Sequence, residues 1–247
     1  MTDELNESIE SEAGERRPVC LVTGASRGIG RAIAMRMALT HDIVAVARSE
    51  EALDALAAEI GETGGRCHTV VLDIADPVAV AAALGDLRAD VLVNNAGVAT
   101  MKPFMELTPA EWHGMVDINL NALYHVTRAV LPGMIERGRG HVLITGSTAG
   151  RNTFVGGTAY VATKHAVMGF AECLMLEVRD AGVKVSVIMP GSVATDLFPE
   201  GTNTSWMIEP EDVAESVAYV VDTPPWVLVH RLEVRPLSPK RKREDAG

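Results

Sequence analysis

The sequence predicts an α/β fold, a doubly wound parallel sheet of about seven strands with helices on both faces. Three observations lead there. Short β-branched runs alternate with alanine-rich helical stretches from Pro18 onward, the runs are apolar at nearly every position, and the first run enters a helix through a glycine-rich turn. Strands that are apolar on both faces need helices over both, which is the condition of a parallel sheet.

Taken in order, residues 1–17 are rich in Asp, Glu, Asn and Ser and cannot offset their ordering entropy by burial, so a flexible acidic tail is expected. Strand 19–23 runs into Thr23-Gly24-Ala25-Ser26-Arg27-Gly28-Ile29-Gly30 and helix 29–39. Strand 43–47, helix 51–60 and strand 67–72 complete a βαβαβ unit. The second half repeats the alternation: strand 91–94, a long helix from about 109 to 135, strand 141–145, helix 159–179, strand 183–188, helix 211–221 and strand 227–234. A polar loop at 196–210 is the one long connection, and no composition break divides residues 18–237, so one catalytic domain is expected. A flexible charged tail at 238–247 closes the chain.

With 247 residues, 47% of them hydrophobic, the chain can bury a substantial core. A formal net charge of -11 repels phosphate backbones and anionic lipid, so neither nucleic acid nor a membrane is an expected partner. The basic run Lys240-Arg241-Lys242-Arg243 reads as a solvated tail. Cys20, Cys67 and Cys173 each sit in an apolar run, which predicts buried packing residues in a reducing compartment. The acidic N-terminus lacks signal-peptide character and no apolar run approaches the ~20 residues of a membrane span, so a soluble cytoplasmic protein is expected. The seven histidines show no ligand spacing, and no metal site is expected.

The glycine turn carries the first functional reading. It allows a pyrophosphate to approach a helix N-terminus, whose free N–H groups and dipole favour anions, and so nominates Gly24, Ser26, Arg27, Gly28, Ile29 and Gly30 as cofactor contacts. The second strand ends Ala47-Arg48-Ser49, where an NAD site usually places a carboxylate for the ribose hydroxyls. Arg48, with Arg27, can instead pair a 2′-phosphate in a fork geometry, so NADP(H) is the expected cofactor. The plainer reading of Arg48 is a solvated helix-start residue. Asp73, followed by Ile74, can accept from an adenine amino group or cap a helix. Asn94-Asn95-Ala96-Gly97 closes the fourth strand with two amides and a glycine, a composition that a plain turn also has, and Asn95, Ala96 and Gly97 join the cofactor candidates.

Tyr160 and Lys164 lie four residues apart in a helical segment, thirteen residues after Ser147. At that spacing phenol and ammonium share a helix face, and the charge can lower the phenol pKa toward neutrality. Such a group suits proton transfer at a carbonyl or alcohol.

On the glycine turn as T-G-x-x-x-G-I-G, the N-N-A-G segment and Ser147 with Tyr160-x-x-x-Lys164, the chain resembles the compact short-chain dehydrogenases/reductases over about residues 18–236. The resemblance implies a Rossmann fold and an oxidoreductase. It implies that Tyr160 exchanges the proton, Ser147 orients the substrate oxygen, and Lys164 tunes the phenol and holds the nicotinamide ribose. Asn119 matches the position that interrupts a helix and holds a water in the proton relay, while Pro190, Gly191, Val193 and Thr195 line the nicotinamide. A homotetramer, or at least a dimer through helix 159–179 with its stripe Val167, Phe170, Leu174 and Val178, is implied as well.

Ser147, Thr148, Arg151 and Phe154 are the substrate-binding candidates, and Phe154, Leu197, Phe198, Trp206 and Met207 form either an apolar wall of the site or part of the core. Arg151 can meet a substrate carboxylate or remain a solvated loop residue. The C-terminal segments Ile208-Glu209-Pro210-Glu211-Asp212 and Leu232-Glu233-Val234-Arg235-Pro236 are similar to the NADP-dependent 3-hydroxy acid (serine-type) dehydrogenases, implying a small carbonyl or alcohol substrate such as a 3-hydroxy acid. The alternatives are a 3-oxoacyl-carrier-protein ketoreductase and, in a different class, a non-catalytic nucleotide-binding regulator.

Overall fold

The computed structural model describes residue 6 and residues 17–198 and 201–238. The strands are β1 (Val19–Thr23), β2 (Asp42–Ala47), β3 (Cys67–Val71), β4 (Val91–Asn94), β5 (Gly140–Thr145), β6 (Val183–Pro190) and β7 (Arg231–Val234). The helices are α1 (Gly28–Met37), α2 (Glu50–Glu62), α3 (Pro77–Leu84), α4 (Pro109–Val116), α5 (Ala122–Glu136), α6 (Thr158–Val178) and α7 (Pro210–Val221). All strand pairs are parallel, in the order β3-β2-β1-β4-β5-β6-β7. The direction of winding therefore reverses beside β1, and the crevice above the β1 and β4 ends is where such sheets take ligands.

Each inner strand divides its side chains between two cores. Val19 and Leu21 of β1 join Leu123, Val126 and Val130 of α5 on one face, whereas Cys20 and Val22 join Ile33 of α1 and Leu53 of α2 on the other. Val142 and Ile144 against Leu143 repeat this on β5. Burying Leu21, Leu92 and Leu143 completely contributes roughly 1.5–3 kcal/mol each, which explains why near-continuous apolar runs are required here.

Three expectations change. Helix α3 is additional to those read from the sequence: Asp76 accepts from the N–H groups of Val78 and Ala79 at 2.9 and 3.1 Å, and Pro77 fills the first helical turn. The long helix expected from 109 to 135 is broken by a π turn, Asp117–Asn121. The last strand is shorter than the 227–234 expected, because its pairing with β6 begins only at Val187 and Arg231. The tails expected at 1–17 and 238–247 fall almost wholly outside the described residues.

Two packing expectations also change. Cys20 is buried, Cys67 is half-buried and Cys173 is exposed on α6, all three as free thiols. Of the stripe Val167, Phe170, Leu174 and Val178, the chain's own sheet buries Val167 and Val178, and only the half-buried Phe170 and Leu174 keep surface that a second subunit could cover. The outward side of α6 carries Ala162, His165, Gly169, Cys173 and Leu176.

Candidate active site

A cleft of about 720 Å³ opens over the C-terminal ends of β1, β4, β5 and β6. One end is the glycine turn. Gly24 and Gly28 have φ of +68° and +53°, a region that side chains rarely adopt, and a Cβ at Gly28 would stand 3.4 Å from Thr195 Cγ2 across the cradle. A Cβ at Gly30 would lie 2.2 Å from the Gly24 carbonyl oxygen, so that glycine serves the close packing of the turn and does not line the cleft.

The α1 N-terminus that faces this cradle has neither a side-chain cap nor an acidic residue in its first turn. Helices α2, α3 and α4, by contrast, are capped by Ser49, Asp76 and Thr108. Orphan N–H groups and the positive end of the dipole are thus left for an anion, and the cradle fits a pyrophosphate.

Among the other cofactor candidates, Ser26, Arg27, Ile29, Arg48, Asp73, Ile74, Asn95, Ala96, Gly97, Pro190, Gly191, Val193 and Thr195 all line the cleft. Arg48 is exposed at its rim beside the buried Ala47. Arg27 makes an exposed ion pair of 3.4 Å with Asp196, from the glycine turn to the loop opposite. Ser49 does not line the cleft; its hydroxyl accepts from Ala52 N–H at 3.3 Å as the α2 cap. Asp73 closes a local turn with Ala75 N–H at 3.0 Å, and Asp76 is the helix cap instead.

Thr23, at the end of β1, organises the floor. Its hydroxyl accepts from the Asn95 and Ala96 N–H groups at 3.0 and 3.2 Å, and its carbonyl accepts from Asn95 Nδ2 at 3.2 Å. Thr145 Oγ1 donates to Asn95 Oδ1 at 3.2 Å, and Asn94 Nδ2 donates to Thr127 Oγ1 at 3.1 Å. The two amides therefore fasten β4 to β1, β5 and α5. The structural part of Thr23 and Thr145 was not read from the sequence; a Thr at the end of each strand flanking β4 was the available signal.

At the other end Ser147, Tyr160 and Lys164 share one wall. Ser147 sits just past β5, accepting from Ala149 N–H at 3.0 Å, and bonds the Tyr160 hydroxyl. Burial raises the Tyr160 pKa, and the Ser147 bond pulls it back. The lowering expected from the Lys164 charge is not seen: the shift is upward, and burial sets it. Lys164 is buried, donates from Nζ to the Thr145 carbonyl at 2.9 Å, and stands 5.8 Å from the centre of the Tyr160 ring. Burial lowers its own pKa to about 8.

Asn119 is the buried residue of the π turn. Its side chain grips Val98 on both sides, accepting from Val98 N–H at 2.8 Å and donating to the Val98 carbonyl at 2.9 Å. Its Nδ2 also donates to Thr163 Oγ1 at 3.1 Å. A cavity of about 10 Å³, the size of one water, lies between Asn119, Thr145 and Lys164.

On the substrate side Thr148 and Phe154 line the cleft, joined by Asn152, Met101 and Leu197, while Arg151 does not. The Arg151 guanidinium lies 3.9 Å from Glu233, a carboxylate that Arg235 engages more closely. Phe198 lines the cleft, whereas Trp206 and Met207 do not, Met207 being buried in the body of the loop.

The chain has many relatives among known proteins. Residues 18–205 match the short chain dehydrogenase family. The chain is 36% identical over 239 residues to the NADP-dependent 3-hydroxy acid dehydrogenase YdfG of Escherichia coli, covering 89% of this chain and 95% of that protein. It is 36% identical over 237 residues to sulfoacetaldehyde reductase 2 of Chromohalobacter salexigens, covering 88% and 94%. The closed form of a serine dehydrogenase complexed with NADP+ superposes with a TM-score of 0.81 at 34% identity, over 88% of this chain and 94% of that one.

Proposed function

The chain belongs to the short-chain dehydrogenase family, and from that premise we propose that it transfers a hydride between NADP(H) and the carbonyl or carbinol carbon of a small substrate. One observation carries this reading: a phenol and a hydroxyl in mutual contact, backed by a buried ammonium, stand at one end of a cleft whose other end is an uncapped helix N-terminus in a glycine cradle. NADP(H), when bound, supplies or accepts the hydride. Everything else falls to the chain itself.

In the reducing direction Tyr160 donates its phenolic proton to the substrate oxygen as negative charge develops there, and Ser147 holds that oxygen by a hydrogen bond. In the oxidising direction Tyr160 takes the hydroxyl proton, and the same Ser147 contact stabilises the phenolate that must exist first. Lys164, with a pKa near 8, can return a proton through the small cavity beside Asn119. Both amide ends of Asn119 are engaged by Val98 and Thr163, so its side chain serves that relay by fixing one wall of the cavity. Burial keeps competing bulk water from these exchanges.

Arg48 and Arg27 are the groups that would meet the 2′-phosphate, with Arg27 leaving Asp196 to do so. Thr148 and Phe154 flank the substrate. Relatives named for 3-hydroxy acids support a 3-hydroxy acid or the matching 3-oxo acid as the substrate class. The homotetramer, or dimer at least, is proposed through the outward side of α6 together with the exposed Tyr124 of α5. A reducing, cytoplasmic setting suits the free cysteines.

The test is consumption of NADPH, with NADH in parallel, over a panel of small ketones, aldehydes and 3-oxo acids. Oxidation of NADPH by at least one carbonyl class, and faster than NADH, is expected. Binding of NADPH without turnover of any panel member would instead favour the regulator.

A further inference from the structure

The chain from Asn119 does not stop at Thr163. Thr163 Oγ1 accepts from Asn119 Nδ2 at 3.1 Å and donates to the Tyr160 carbonyl at 2.8 Å. Thr163 is 2% exposed and Asn119 4%, so water offers neither a ready alternative partner. Through this one hydroxyl the β4 loop at Val98, the π turn at Asn119 and the first turn of α6 form a continuous hydrogen-bonded path.

We propose that Thr163 is a positioning residue for the hydride-transfer reaction, its hydroxyl holding the Tyr160 backbone at a fixed distance from the π turn. The inference rests on the function proposed above. Thr163 touches neither the cleft nor the reacting atoms, since it does not line the cleft and its hydroxyl faces the Asn119 amide. Its leverage comes from its place in the chain. It lies three residues after Tyr160 and directly before Lys164, so a shift at its hydroxyl moves both groups at once. The bond to the carbonyl three residues back also ties the side chain to the turn that carries Tyr160. A valine would match the shape of threonine, leave the Tyr160 carbonyl to its regular helical partner, and deprive Asn119 Nδ2 of one acceptor while the Val98 grip persists.

The experiment compares wild-type protein with Thr163→Val and Thr163→Ser, with Thr163→Ala replacing the valine variant if that one does not fold. Steady-state kcat and KM are measured on the best carbonyl of the panel, and NADPH affinity by fluorescence titration. Loss of the hydroxyl is expected to lower kcat by about 10- to 100-fold, the range in which a remote displacement of a reacting group is felt. KM and NADPH affinity should stay within about three-fold, and serine should restore kcat to within about three-fold of wild type. A hydroxyl-free variant that folds and keeps at least half of the wild-type kcat overturns the inference. So does a serine variant as slow as the valine one, because then the side-chain shape matters and the hydroxyl does not. If wild-type protein turns over no carbonyl while binding NADPH, the proposed function itself falls, and this inference with it.

Discussion

Lys164 and Arg48 are cations on the wall of one cleft, and they differ in almost every physical respect. Lys164 is buried and donates to the Thr145 carbonyl, and burial has loosened its hold on its proton. Arg48 is exposed at the rim, with solvent on most sides. A buried charge acts at short range on proton affinities and is exacting about position, whereas a rim charge attracts an anion through a screened field and tolerates movement. The cleft thus has an end where chemistry is set by burial and an end where binding is set by charge. Substitutions at the first should change rates, and substitutions at the second should change affinities.

The largest effect is expected at the buried end. Tyr160→Phe removes only the titrating oxygen and should lower kcat by about 10³-fold, with NADPH affinity nearly unchanged. Retention of more than a few per cent of activity would show the proton donor to be another group.

Lys164→Met should lower kcat by about 10²-fold and also weaken the pH dependence of stability. Burial holds the Lys164 pKa at about 8 in the folded protein, against 10.5 for an unperturbed lysine, so between these pH values the unfolded chain binds more protons than the folded one. Stability therefore carries a penalty below pH 8 that fades as pH rises toward 10.5, worth about 3–4 kcal/mol if fully expressed. Denaturant midpoints from pH 8 to 10 should rise in the wild type relative to the variant. The window stops at 10 because burial raises Tyr160, whose linkage runs the other way above its unfolded pKa.

At the exposed end Arg48→Ala should weaken NADPH about ten-fold, leave NADH within about two-fold, and lose most of its effect in 1 M salt. A titration in which NADPH and NADH weaken together would remove the 2′-phosphate assignment. The smallest effect is expected at Asp196, whose ion pair with Arg27 is 74% exposed on both sides. Asp196→Asn should tighten NADPH by no more than about three-fold, as suits a surface pair.

Much of the cleft was legible in the sequence because it depends on local rules. A glycine turn between a strand and a helix, an acid absent at the end of β2, and a Tyr and Lys one helical turn apart all survive without knowledge of the neighbours. What was missed depends on distant partners. Helix α3 was hidden in a nearly uniform apolar run, Pro77 to Leu84, with no polar face to mark its period, although the Asp76-Pro77 start was visible. The stripe on α6 from Val167 to Val178 looked like surplus apolar surface, since periodicity shows that a face is apolar but not what covers it. Arg151 and Ser49 have the chemistry for their expected places, yet Glu233 and the α2 N-terminus engage them. The Lys164 effect on Tyr160 was read from spacing alone, and spacing is silent about burial.

The π turn between α4 and α5 also acts as a gear between two rotational phases. Each residue of an α-helix advances the side-chain direction by about 100°, so the extra residue taken up at Asp117–Asn121 offsets the face that follows from the face before. Downstream, that offset turns Leu123, Val126 and Val130 toward the sheet. Upstream, it leaves Met115 buried under Thr100, whose N–H approaches the Met115 sulfur at 3.4 Å. Deleting one residue here would restore a regular helix and swing one of these two faces into solvent, so the length of this segment is fixed by the core on both sides. Its chemistry at Asn119 is thereby shielded from insertions and deletions that a surface loop would absorb.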